Sequence, residues 1–184
     1  MEQLQIVDAR AEEHFRAMSM IHARAWKISY RGAVPDDFLD AIGDDHWLDA
    51  FRANYETQNG IKGLLLYRGD VPVACLNYCR ARKDNFNSAE YKFPNEGYED
   101  WGELASFYTL PGEQSKGYGS ILMAEALERL RVDGYRNAFV FVLRENERAR
   151  RFYARHGFAW DGTFAQIPFP HDTVCVDLRY VRPL

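Results

Sequence analysis

Apolar residues recur along this chain with two periods, and the switches between them lay out the elements. Leu4 to Ala9 is a short strand candidate. From Ala11 to Tyr30 the apolar positions Phe15, Met18, Ile21, Ala25 and Ile28 fall three and four apart, which predicts a helix with one face on a core. Gly32 can end it. Pro35, Asp36 and Asp37 then open a second helix, with acids at its positive end and Phe38, Leu39 and Ile42 as its apolar face. A third helical piece is expected from Asp44 to Tyr55. The apolar runs Leu64 to Tyr67 and Val71 to Tyr78 flank Arg68-Gly69-Asp70, which reads as the turn of a hairpin and not as an adhesion motif.

The segment from Ala81 to Trp101 is largely polar but carries Phe86, Tyr91, Phe93, Tyr98 and Trp101. Connections of this length in compact domains are usually functional or disordered, and the aromatics argue against disorder. Gly102 to Leu110 is then a strand, followed by a glycine-rich turn and a helix to about Asp133 with the stripe Leu122, Met123, Ala126, Leu127 and Leu130. Ala138 to Leu143 is a continuous apolar run, as in a strand buried on both faces. Asn146 to His156 predicts a helix capped by Asn146 and stopped by Gly157. Phe158 to Phe164 and Thr173 to Val181 close the chain as strands. The central strand–helix–strand implies a right-handed parallel crossover, and the hairpins add antiparallel pairs. The class is therefore α/β, a mixed sheet with helices on its faces.

Composition narrows this picture at a few points. The 184 residues suit one domain, 1–184, and a hydrophobic fraction of 47% supplies its core. A net charge of -4 makes nucleic acid an unexpected partner; it would suit a cationic substrate but is also ordinary solubility. Cys75, Cys79 and Cys175 have no metal-ligand spacing, so no metal is expected and buried reduced thiols are. No apolar run approaches the ~18–20 residues of a membrane span, and Glu2 and Asp8 interrupt anything like a signal peptide. A cytoplasmic location without membrane contact is the expectation.

The chemistry concentrates at Pro111-Gly112-Glu113-Gln114-Ser115-Lys116-Gly117-Tyr118-Gly119-Ser120. Glycines permit positive φ and close backbone approach. The N–H groups that open the following helix lack intrahelical partners, and a helix start of this kind attracts phosphate. A dinucleotide fingerprint needs a third glycine where Leu122 stands, and a P-loop needs Lys-Ser/Thr where Tyr118-Gly119 stands.

What remains, Gln114-x-x-Gly117-x-Gly119 behind an apolar strand, resembles the cofactor-binding motif of the GNAT superfamily of acyl-CoA-dependent N-acetyltransferases. Asn146 to Phe158 resembles the second hallmark of that family, an Asn-led helix carrying a Tyr and ending in Gly-Phe. Together the two blocks cover roughly Gly102 to Phe164 at the family's spacing. Ala25 to Pro35, with Trp26, Tyr30, Gly32 and Pro35, is similar to a bacterial subgroup whose substrates are diverse or unassigned.

The resemblance implies a single mixed sheet of about seven strands with a splayed central parallel pair. It implies acetyl-CoA as donor, with its pyrophosphate on the N–H groups of Gln114, Ser115, Lys116, Gly117, Tyr118, Gly119 and Ser120. Phe107, Tyr108 and Thr109 would line the pantetheine arm, and one of their N–H groups would hold the developing oxyanion. Tyr153 matches the general acid and Asn146 the residue that contacts the cofactor arm or an ordered water. Arg150 would approach the CoA phosphates, while Arg148 and Arg155 are expected to face solvent. Glu103, at the start of the central strand, is the candidate general base, with Glu99, Asp100 and Glu145 as other acids. Trp26, Tyr30 and the 81–101 segment would shape an acceptor pocket. The partners implied are acetyl-CoA and a primary amine, small molecule or protein, and a homodimer is admitted. A non-catalytic acyl-CoA sensor is the competing reading; Asn146 and Tyr153 count against it.

Overall fold

The computed structural model describes residues 3–57, 60–85 and 88–184, with only the backbone described for 84–85 and 88–92. Phe86 thus lies outside the described residues, as does the side chain of Tyr91. In chain order the elements are β1 (Leu4–Asp8), α1 (Glu12–Ser29), α2 (Asp36–Ala41), α3 (Leu48–Glu56), β2 (Lys62–Arg68), β3 (Val71–Arg80), β4 (Asp84–Asn85), β5 (Ser88–Lys92), β6 (Gly102–Thr109), α4 (Tyr118–Val132), β7 (Asn137–Leu143), α5 (Glu147–Arg155), β8 (Ala159–Phe169) and β9 (Thr173–Pro183). Seven strands form one sheet in the order β1-β2-β3-β6-β7-β9-β8, and β4-β5 make a small separate pair.

The sheet is covered on both faces because its central strands are apolar on both. Leu64, Leu66, Leu76, Leu104 and Val140 point to α4, where they meet Leu122, Met123, Ala126 and Leu130. Leu65, Cys75 and Leu143 point the other way, to Ile21, Leu39 and Phe51 of α1, α2 and α3. The period of two along strands and 3.6 along helices therefore meets in two cores. Several local readings change: β8 runs on through Pro168 to Phe169, which the sequence read as turn. Ile28 is 61% exposed, while Trp26 and Tyr30 on either side of it still pack against the core. α3 starts at Leu48, not Asp44; the Trp47 N–H donates instead to Ser19 Oγ at 3.1 Å, tying the preceding turn to α1.

The feature that makes a site is the pairing of β6. Every neighbouring pair in the sheet is antiparallel except β6–β7, which is parallel and pairs only Gly102–Leu104 with Ala138–Val140. Past Leu104 the two strands part, although β6 runs on to Thr109 and β7 to Leu143. A register shift against β3 falls at the same place: Tyr78 pairs with Leu104 and Asn77 with Ser106, so Ala105 is the extra residue of a bulge. The bulge bends β6 away from β7 while its other edge stays bonded to β3. Among the described residues, no helix is long and apolar enough to cross a membrane.

Candidate active site

The turn between β6 and α4 leaves backbone donors free. Gly117 caps α4 in the left-handed region at φ 86°, a conformation that costs an L-residue with a side chain about 1–2 kcal/mol. The first α-helical bond runs from Ile121 N–H to Gly117 C=O at 3.2 Å, so the N–H groups of Tyr118, Gly119 and Ser120 have no intrahelical partner. No acid occupies the first turn of α4 and no side chain caps it. Gly119 meets a different requirement. A Cβ there would stand 3.3 Å from two ring atoms of Phe152, so glycine lets α5 close over the loop. Gln114 turns inward, its Oε1 accepting from Gly112 N–H at 3.0 Å, and Glu113 is held by Arg68 at 3.2 Å and Lys116 at 2.9 Å.

This loop forms one wall of a cleft of about 480 Å³. Phe107, Tyr108 and Thr109 form the second wall, and Asn146, Ala149, Phe152 and Tyr153 the third. The expected residues on the loop, on β6 and on α5 thus converge, with three differences.

Arg150 turns away from the cleft: its Nε donates to Tyr180 O–H at 3.2 Å and its Nη1 to Arg144 C=O at 3.0 Å. Arg148 and Arg155 line the cleft in its place, Arg148 reaching Ser115 Oγ at 3.2 Å. Positions 148, 152 and 155 share one helix face, two residues away from the face of 150. Lys116 is exposed and paired with Glu113 rather than lining the cleft.

Glu103 is the third difference. Its carboxylate accepts from the Arg82 backbone N–H at 2.8 Å and from Arg82 Nε and Nη2 at 3.0 and 2.6 Å. Its side chain is 1% exposed, and it does not line the cleft. Five residues of strand, on the order of 16 Å, separate it from Tyr108 along β6. The group placed as a free base is the buried anchor of the 81–101 segment. The other acids proposed beside it do not line the cleft either.

The strand wall can be read atom by atom. Leu110 N–H donates to Val73 C=O of β3. N–H directions alternate along a strand, so Tyr108 also faces β3, whereas the N–H groups of Phe107 and Thr109 face the gap left by β7. Across it, Tyr153 is buried, and desolvation, then the neighbouring Tyr108, keep its phenol proton on well above the usual range. Its hydroxyl makes no hydrogen bond to any described residue. Asn146 Oδ1 caps α5 by accepting from Ala149 N–H at 3.0 Å, as expected, and the residue also lines the cleft.

The sheet face opposite α4 carries the aromatic cluster. Trp26 stacks on Tyr30 at 4.4 Å. Trp26 Nε1–H donates to Tyr108 O–H at 2.9 Å, and Tyr30 O–H lies 3.1 Å from the same oxygen. Beside it, Phe93 stacks on Phe141 and the Arg179 guanidinium lies 3.6 Å over the Tyr98 ring, so the described end of the 81–101 segment covers β7 and β9. A larger cleft of about 840 Å³ lies toward the far end of α4. Its cations are already matched, Arg129 by Asp8 at 2.6 Å and Lys62 by Asp133 at 2.7 Å.

A splayed parallel pair, with an uncapped helix start beside the gap and a tyrosine across it, is the arrangement expected of an acyl-CoA-dependent α/β fold. The sequence profile of the acetyltransferase (GNAT) family matches residues 22–158, and the chain belongs to that family. An uncharacterised N-acetyltransferase of Mycobacterium tuberculosis is 38% identical over 61 residues, spanning 33% of this chain and 39% of that protein. Among solved structures, the PaiA N-acetyltransferase of Thermoplasma acidophilum, in complex with coenzyme A, superposes with a TM-score of 0.71 at 15% identity, covering 99% of both chains. An N-acetyltransferase of Staphylococcus aureus Mu50 superposes at 0.72 with 15% identity over 98% of both. At these identities the likeness is one of fold.

Proposed function

We propose that residues 1–184 form one N-acetyltransferase domain that moves the acetyl group of acetyl-CoA to a primary amine by direct attack in a ternary complex. The observation that carries this reading is the meeting, in one cleft, of an uncapped helix start with the buried Tyr153 hydroxyl. The donor groups fit the thioester cofactor. Free N–H groups at Tyr118, Gly119 and Ser120 and the cations of Arg148 and Arg155 suit its phosphates. The gap-facing N–H groups of Phe107 and Thr109 suit the pantetheine arm and the oxyanion that develops on the carbonyl. Tyr153 then returns a proton to the departing thiolate, whose thiol pKa near ~8.5 makes the transfer easy. We take Trp26 and Tyr30, which meet the cleft-lining Tyr108 through its hydroxyl, and the described part of the 81–101 segment to bound the acceptor side, a reading that favours a small molecule over a protein chain.

The test is release of CoA from acetyl-CoA across a panel of primary amines, beside calorimetry with acetyl-CoA and ATP. Turnover that Tyr153→Phe slows at least tenfold, with acetyl-CoA affinity kept, supports the assignment. Acetyl-CoA binding with no turnover on any amine favours the sensor, and ATP binding without CoA binding removes both.

A further inference from the structure

Resting on that reading, we propose that Asp177 of β9 takes the ammonium proton of the acceptor amine. Its place in the sheet is the first reason. Asp177 pairs with Leu143, the last residue of β7, and with Ala165 of β8. Leu143 lies three residues beyond the last β6–β7 pair, so Asp177 stands level with the opened part of the sheet, on the far side of Tyr108 from the 480 Å³ cleft and not among its lining residues; the amine would reach it from the acceptor side. It shares the face of Leu143, toward α1 and the Trp26–Tyr30–Tyr108 cluster, and not the α4 face of Leu178 and Tyr180.

The second reason is that the protein leaves this carboxylate unmatched. Asp177 accepts no hydrogen bond and forms no ion pair among the described residues. The nearest cation on its strand, Arg179, is committed elsewhere: to Asp161 at 2.7 Å, Thr163 Oγ1 at 2.9 Å and Pro94 C=O at 2.7 Å. Cys175, on the other side, gives its thiol proton to Ala33 C=O at 3.4 Å. Glu145 adds a second negative charge, and Arg144 is turned to Glu145 at 2.8 Å. The residue is nonetheless not sealed, being of intermediate exposure. A carboxylate set deep without a cation has room for one brought by a ligand.

The third reason is the hydroxyl pair beside it. Both Tyr30 and Tyr108 feel the charge of Asp177. An indole N–H can only donate, so Tyr108 O accepts from Trp26. The two phenols share one contact, leaving one phenol proton uncommitted and able to meet a carboxylate or an amine nitrogen. Tyr153 packs in the core on the α4 face while Asp177 shares the α1 face with Leu143, so acid and base lie on opposite faces of the sheet.

Burial, and then Glu145, push the Asp177 carboxyl up to about 7, the range in which a base works at neutral pH. An alkylammonium holds its proton to ~10.4. It passes one proton to the Asp177 carboxylate. The freed lone pair attacks the thioester carbonyl, the C–N bond forms, the C–S bond breaks and sulfur leaves with the bonding pair. Of the two protons left on nitrogen, one stays in the amide and the other, relayed through Tyr153, ends on the thiol. The proton on Asp177 returns to solvent. The acceptor class that follows is a cationic primary amine, its ammonium beside Asp177 and its body against the aromatic rings.

The experiment compares wild type, Asp177→Asn and Asp177→Glu with acetyl-CoA and with spermidine, lysine, glucosamine and an aromatic amine already neutral at pH 7. Expected for Asp177→Asn are unchanged acetyl-CoA affinity, at least a thirtyfold loss of kcat/KM on the alkylamines turned over, and loss of the inflection near pH 7. The aromatic amine should be nearly indifferent and Asp177→Glu should recover part of the rate. Wild-type kcat/KM with the inflection retained in Asp177→Asn overturns the proposal, as does an equal loss on the neutral amine. Titration of the Asp177 carboxyl below pH 5, followed by carbon NMR, overturns it without reference to any acceptor. A wild type that binds acetyl-CoA but turns over no amine sinks the acetyltransferase reading instead, and the role of Asp177 with it.

Discussion

Replacing Glu103 by Gln separates a structural carboxylate from a catalytic one. The Glu103–Arg82 pair is buried, at 1% and 16% side-chain exposure, with three hydrogen bonds of 2.6 to 3.0 Å. Breaking a buried pair by removing one partner costs about 3–5 kcal/mol, because the remaining charge is left in a poor solvent. Gln keeps one acceptor for the Arg82 backbone N–H, so its cost should be about 2–4 kcal/mol, and Glu103→Ala should reach the upper end of the full range. For a chain of this size, each kcal/mol lowers the melting temperature by roughly 2–4 °C. Urea unfolding at 25 °C reads the free energy, and the pH dependence of kcat/KM on the same samples reads the chemistry. The expected result is a marked loss of stability with the shape of the pH–rate profile unchanged. A Gln variant within about 1 kcal/mol of wild type, with a rate deficit growing toward low pH, would refute the structural reading and restore Glu103 as the base.

Other consequences are as direct. Gly119→Asp places a Cβ 3.3 Å from the Phe152 ring and a negative charge at the helix start; CoA affinity by calorimetry should fall at least a hundredfold. Arg148→Ala and Arg155→Ala should each weaken CoA binding several-fold, less so at high salt, while Arg150→Ala, facing Tyr180, should leave it unchanged. His22 is buried against Trp47 and Tyr108, and burial, then the His46 charge, lower its pKa from 6.5 to about 3. Between those values the unfolded chain binds a proton that the folded one does not, so the stability from a neutral His22 is complete above pH 6.5 and is lost as pH falls. His22→Phe should flatten urea-midpoint stability between pH 6.5 and 5 by roughly 2 kcal/mol relative to wild type; an identical slope in both would contradict the burial argument.

The sequence alone determined the parts whose geometry is local. Gln114 and Gly117 sit between a strand end and a helix start, where Gly117 takes positive φ and the helix start leaves N–H groups free, all local geometry; Gly119, by contrast, answers to the distant Phe152. Asn146 and Tyr153, seven residues apart on one short helix, are local in the way Gln114 and Gly117 are. Apolar runs likewise announced a two-faced sheet, because burial on both sides leaves no polar period to keep. Tertiary structure decided the pairings between remote segments. Which arginine of α5 reaches the cleft depends on the rotation of that helix about its axis, set by Phe152 packing on Gly119, and this put Arg148 and Arg155 where Arg150 was expected. Glu103 looked free until the chain from Arg82 folded back over it. Asp177, on a strand read only as sheet, became conspicuous when β6 and β7 parted and left its carboxylate facing the tyrosines without a cation. A charge's role depends on which opposite charge it finds, and in this fold that partner comes from far along the chain.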